Sequence, residues 1–221
     1  MSPEQLNVSK NMGLAGGHPP RSLRGFSNIN RYWDKCHEVY AAKILPGEYY
    51  VTMHGEMIVT VLGSCISACI RDRVFGIGGM NHFMLPVGEE GGSSSNTWNS
   101  AATRYGNFAM EALINDILKN GGRRENLEVK VFGGGMILES MTDIGKKNAS
   151  FVRDFIKTEG LSLLAEDLGD VYPRKVHYFP QSGKVLMKKL RSLHNNTIVD
   201  RETSYLDSLE SKPVEGEIDL F

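Results

Sequence analysis

Val59-Thr60-Val61-Leu62-Gly63-Ser64-Cys65-Ile66-Ser67-Ala68-Cys69-Ile70, the polar break Arg71-Asp72-Arg73, and the apolar return from Gly76 through His82-Phe83-Met84 decide how this chain is read. β-Branched and aliphatic residues fill both arms and the charges sit between them, so the stretch predicts strand, turn and strand. With residues 72 to 75 as the loop, Arg71 faces Gly76 and, counting outward, Cys65 faces His82. Directly opposed side chains on one face of an antiparallel pair have Cβ atoms about 4.5 to 5.5 Å apart, within reach of a thiol–imidazole hydrogen bond. Such a pair is the smallest side-chain set able to attack an amide at neutral pH. The register rests on the loop. Asp72-Arg73-Val74-Phe75 lacks the Asn-Gly signature of a tight primed turn, and one bulge would carry His82 to the other face.

Around this ribbon, 221 residues with 41% hydrophobic content are enough for one substantial core. A net charge of -1, from 25 basic and 26 acidic residues, offers no field for a polyanion or an acidic membrane surface, so nucleic acid is not an expected partner. The amino terminus is broken by Gly13, Gly16, Gly17, Pro19 and Pro20 and lacks a secretory apolar core. No later stretch reads as a bilayer span, and the expected location is the cytoplasm. Three cysteines, Cys36, Cys65 and Cys69, are too few for a disulfide framework. On one strand Cys65 and Cys69 would stand about 13 Å apart, too far to bridge. A Cys65/Cys69/His82 zinc site is conceivable but lacks close ligand pairs and a fourth ligand, so neither metal nor organic cofactor is expected.

Residues 1–41 read as a flexible extension, with an arm or short helix at 26–40 docked through Phe26, Ile29, Tyr32, Trp33, Val39 and Tyr40. Lys43 to Val51 reads as strand, Pro-Gly turn and strand. Glu89 to Ser100, with Gly91-Gly92-Ser93-Ser94-Ser95, predicts a mobile loop, with the alternatives of a lid or a plain linker. Helical spacing predicts helices over about 101–119 and 148–159, and apolar runs predict strands at 127–132, 161–165, 175–179 and 184–190. This gives an α/β layered sandwich of mixed, largely antiparallel sheet with two main helices, spanning residues 42–191. From Asp200 to Phe221 seven acidic residues outweigh two basic ones, so 192–221 reads as a solvated acidic tail.

Three segments together resemble the chemoreceptor glutamine deamidase family, CheD. They are Leu62-Gly63-Ser64-Cys65 with His82-Phe83-Met84-Leu85-Pro86; Arg104-Tyr105-Gly106-Asn107 through Met110-Glu111-Ala112-Leu113-Ile114 to Phe132-Gly133-Gly134; and Ile144-Gly145-Lys146-Lys147-Asn148 through Leu164-Ala165-Glu166-Asp167-Leu168-Gly169 to Tyr172-Pro173-Arg174-Lys175-Val176. The resemblance implies hydrolysis of selected glutamine side chains to glutamate on the cytoplasmic helices of methyl-accepting chemotaxis receptors, with Cys65 as nucleophile and His82 as general base. It implies a fold similar to deamidating bacterial toxin domains and, for some members, a complex with a chemotaxis phosphatase. The family also uses a threonine upstream of the nucleophile. Counting back six residues from Cys65 gives Val59, whereas Thr60 stands five before it, one step out of register on a strand. Thr60 is the candidate for that role.

Backbone N–H groups at Gly63 and Ser64 are the natural donors for a tetrahedral oxyanion. Two rival readings remain. One is a different cysteine acyl-transfer enzyme, a peptidase or transglutaminase; the other is a non-catalytic binding module for a chemotaxis phosphatase or receptor, kept alive by the displaced threonine.

Overall fold

The computed structural model describes residues 18–86, 101–137, 142–191 and 196–211. The Glu89–Ser100 loop, most of the Gly/Pro-rich amino terminus and the last ten residues lie outside them. In chain order the elements are β1 (Asn30–Asp34), β2 (Val39–Lys43), β3 (Tyr49–Thr52), β4 (Met57–Leu62), β5 (Ile66–Asp72), β6 (Gly78–Asn81), α1 (Ala101–Lys119), β7 (Leu127–Gly133), α2 (Thr142–Thr158), β8 (Ser162–Leu168), β9 (Arg174–Phe179), β10 (Lys184–Lys189) and α3 (Asn196–Ser211).

Two five-stranded sheets form, ordered β1-β2-β4-β9-β10 and β3-β6-β5-β7-β8. Among these strands only β2 with β4 and β7 with β8 run parallel. Helices α1 and α2 pack on the second sheet. Ile58, Leu62, Val176 and Tyr178 from the first sheet share one buried cluster with Ile66, Ile70, Val129 and Val131 from the second and with Leu113 and Val152 from the helices. Each aliphatic side chain so buried contributes about 1.5 to 3 kcal/mol, which is why period-2 and period-3.6 apolar spacing in the sequence locates the layers. The mixed, mainly antiparallel layered α/β architecture expected from the sequence is the one observed.

Four local expectations change. First, residues 59–70 are two strands in different sheets. The chain leaves the first sheet after Leu62 because three successive carbonyls are captured elsewhere: Gly63 O by Gly135 N (2.7 Å), Ser64 O by Asn148 Nδ2 (2.9 Å) and Cys65 O by Gly134 N (2.8 Å). Second, the β5–β6 loop is centred one residue later. Asp72 N donates to Ile77 O at 2.8 Å, and the Asp72 carboxylate accepts from Val74 N (2.7 Å) and Phe75 N (2.9 Å), so Asp72 closes the strand instead of opening the loop. Ile66 then pairs with Phe83, and Cys65 faces Met84. Partners move by two residues, so facing parity survives: His82 becomes the diagonal neighbour of Cys65 on the same face.

Third, the arm at 26–40 holds strand β1, which pairs with β2 at the edge of the first sheet, while Phe26 packs edge-on against Tyr49 and Tyr50 with ring centroids 5.3 Å away. Fourth, the segment read as a solvated tail contains α3, with Glu202 and Leu206 buried. Its apolar and acidic residues at 198, 199, 202, 205, 206 and 209 follow helical spacing and form the inward-facing stripe, which a charge count alone overlooks.

Candidate active site

The junction between the sheets is built from glycines and backbone. A peptide plane holds its C=O and N–H on opposite sides, so pinning the Gly63 and Ser64 carbonyls aims the N–H groups of Ser64 and Cys65 the other way. Gly134 and Gly135 supply two of the pins, and Gly133, at φ +116°, has no room for a side chain because a Cβ there would stand 2.0 Å from Cys65 O. The result is a row of N–H donors at Gly63, Ser64 and Cys65 converging on one spot. At Gly63 a Cβ would press on the ends of two side chains, falling 2.3 Å from Ile137 Cδ1 and 2.7 Å from an oxygen of Glu202, so a side chain there displaces both.

His82 follows β6 directly. Its backbone is clamped to the turn before β3: His82 N donates to Glu48 O at 2.9 Å, and Gly47 N donates to His82 O at 2.8 Å. On the ring, Nδ1 lies 2.8 Å from Thr60 Oγ1 of β4, and the same hydroxyl donates its single proton to Ile44 O at 2.9 Å. Thr60 Oγ1 therefore accepts from Nδ1–H, which leaves Nε2 with its lone pair. Nε2 is buried with no hydrogen-bond partner among the described residues.

The third component comes from α3. The Glu202 carboxylate accepts from Gly63 N (2.7 Å), Ser64 N (2.7 Å), Ser64 Oγ (2.7 Å) and, at 3.4 Å, Cys65 N. Ligand atoms of Cys65, His82 and Glu202 all lie within 4.8 Å of one another. All are nearly inaccessible: Cys65 is 0% exposed, Glu202 1%, His82 2% and Thr60 2%.

Burial first, and the Glu202 charge and hydrogen bond next, push the Cys65 thiol well up. Burial and then the Arg201 charge hold His82 down at about 3. The resting pair is thus neutral thiol and neutral imidazole. Sulfur, imidazole and carboxylate are also zinc-type ligands. The carboxylate oxygens here are already engaged by N–H and O–H donors, an environment that favours an anion over a cation. Cys69, considered beside Cys65 and His82 as a zinc ligand, sits in mid-β5 opposite Met80, and all three cysteines are free.

Comparison with known proteins gives this arrangement its context. A family model described as "CheD chemotactic sensory transduction" matches residues 84–189. A protein of Halorhodospira halophila is 55% identical over 221 residues, covering 98% of this chain and 100% of its own length. Relatives from Herminiimonas arsenicoxydans and Janthinobacterium sp. are each 59% identical over 194 residues, covering 87% of this chain and 94% of theirs. The chain belongs to the CheD family. All three relatives carry the name "Probable chemoreceptor glutamine deamidase CheD".

For this CheD-family chain the structure brings Cys65, His82, Thr60, Gly63 and Ser64 to one place. Thr60 reaches His82 although its strand register argued against it, because Thr60 and Cys65 lie in different sheets and the alternation rule does not carry across the junction. Two contributors went unread. Asn148 ties α2 to both sides of the site, accepting from Leu85 N at 2.9 Å and donating to Ser64 O. The acidic composition of the tail gives no hint of Glu202; the signal that marks it is the apolar spacing around it. No helix among the described residues is long and apolar enough to cross a membrane.

Proposed function

We propose that this chain hydrolyses the side-chain amides of selected glutamines on the cytoplasmic helices of chemotaxis receptors, releasing ammonia and leaving glutamate. The names of its relatives support the reaction class and the receptor substrate. The observation that carries the mechanism is the meeting of a thiol, an imidazole with a free Nε2 and a row of backbone N–H donors at one buried point.

In this reading Cys65 gives its proton to His82 Nε2 and attacks the amide carbon. The N–H groups of Gly63 through Cys65 take the oxyanion, a contribution worth about 2.7 to 4 kcal/mol per donor in enzymes of similar design. The carbon–nitrogen bond breaks, and ammonia departs with the proton from His82. Water, activated by the same imidazole, then opens the thioester and restores the thiol. Thr60 is a positioning residue: it touches no reacting atom and holds the ring in the tautomer the first step needs. No metal or organic cofactor enters the cycle.

The reaction belongs where receptor cytoplasmic helices are, so the proposed location is the cytoplasm, and a chemotaxis phosphatase is a candidate partner. The displaced register of Thr60 is what keeps a non-catalytic binding module open as a rival, and the Thr60–His82 contact argues against it. The test is incubation of the purified chain with receptor cytoplasmic fragments, following ammonia and mapping Gln-to-Glu conversion by peptide mass. Wild type should convert specific sites, and Cys65→Ala and His82→Ala should not. Backbone cleavage, or binding with no conversion by wild type, would overturn the reading.

A further inference from the structure

The donor row that the mechanism reserves for the substrate is already filled, and what fills it is chemically the reaction's product. Glu202 is a glutamate presented by an α-helix, with both oxygens of its carboxylate held by Gly63, Ser64 and Cys65 and with Cys65 and His82 beside it. Around it, Leu206 is buried, Tyr205 lies over Gly47, and the Tyr205 and Tyr105 hydroxyls are hydrogen-bonded, so α3 spans the site between the β2–β3 turn and α1. We propose that α3 is a built-in pseudo-product: it lies in the groove that receives the substrate helix, Glu202 holds the place of the deamidated side chain, and turnover requires α3 to give way.

The inference deepens the deamidase reading and rests on it. A thiol with no exposed surface cannot meet a glutamine on another protein, so a catalytic Cys65 demands that its cover move. Among the described elements around the site, α3 is the one whose contact with it is made by a side chain satisfying donors that the reaction needs for itself. The pose also explains why the plug is an acid. Three of the groups bonded to the Glu202 oxygens are backbone N–H groups, at Gly63, Ser64 and Cys65, which can only donate, and an amide offers them only one oxygen in place of two.

Two variants of the full chain test the proposal, with Cys65 alkylation by iodoacetamide read by peptide mass and exposed Cys36 as the internal control. Glu202→Ala should speed Cys65 alkylation and raise kcat/KM on a receptor fragment by about tenfold or more, because losing charge-assisted hydrogen bonds shifts the closed–open balance by at least that factor. Glu202→Gln, of the same shape, puts a substrate amide where the product sits. Cys65 should attack its amide carbon, ammonia should leave as the thioester forms, and water should return position 202 to glutamate. That conversion should be first-order and independent of protein concentration, and should be absent with Cys65→Ala. Both variants leaving alkylation and receptor turnover at wild-type levels would overturn the plug while leaving the deamidase reading intact. If the amide introduced by Glu202→Gln persists in a preparation that converts a receptor fragment, the placement of Glu202 in the substrate groove is overturned. Faster alkylation with no deamidation by any variant would instead sink the deamidase reading, and the pseudo-product with it.

Discussion

Thr60 and His82 come from different sheets and meet at 2.8 Å, hydroxyl oxygen to Nδ1. Because the hydroxyl proton is committed to Ile44 O, the contact selects one imidazole tautomer. Thr60→Val should therefore lower kcat on a receptor fragment by about 10- to 100-fold with KM little changed, the usual scale for losing an orienting partner. Thr60→Ser should restore most of it. A Thr60→Val loss confined to KM, or absent rescue by serine, would count against the orienting role.

His82 also makes a pH prediction. Thr60 faces it from β4, Cys65 from the sheet junction, and Arg201 and Glu202 from α3; burial and Arg201 hold its folded value at about 3 against an ordinary 6.5. The unfolded chain takes up the proton as pH falls through 6.5 and the fold does not until about 3, so this stability is full above 6.5 and is lost downward across that window. Comparing urea unfolding at pH 7 and pH 4, wild type should lose about 3 kcal/mol more than His82→Gln. Parallel loss in both proteins would show that His82 is not buried as a neutral group.

Asn148 satisfies one backbone group on each side of the nucleophile. Asn148→Leu leaves Ser64 O and Leu85 N without partners and should destabilise the fold by about 2 to 4 kcal/mol. It should also depress kcat in the fraction that stays folded, because the Cys65 N–H is no longer aimed. A variant with full kcat would remove Asn148 from the alignment of the donors.

At Gly133 the backbone is left-handed and the space for a Cβ is taken by Cys65 O. Gly133→Ala should cost at least about 3 kcal/mol in thermal or urea unfolding, from strain and overpacking together. Near-neutral stability would mean that the β5–β7 pairing can shift to make room.

The layers were legible in the sequence because they are written in apolar period. α1 matches its expected span of 101–119, and β7, β9 and β10 agree within a residue or two. The earlier start of α2 was hidden because its first turns present Gly145 and two lysines. Gly145 is there for close approach, a Cβ at that position meeting Gly134 O at 2.7 Å, and helix propensity gives no hint of that contact. In the site, the pairing of Cys65 and His82 was legible through hairpin parity, which survived a misplaced loop. Thr60 was obscured by treating 59–70 as one strand. Glu202 was out of reach of any local rule, since it lies well over a hundred residues along the chain from the donors it meets.

The seam at Gly63–Ser64 has a consequence for how damage to this molecule would show itself. The base is steadied by an atom from one layer while the sulfur and the imidazole ride on the other, so the reacting centre works as an alignment gauge between the two layers. A slip of about 1 Å between them, too small to unfold anything, is enough to cost about 10²-fold in rate. Substitutions far out on β1 or β10 that loosen how one layer registers on the other should silence turnover long before they lower the melting temperature.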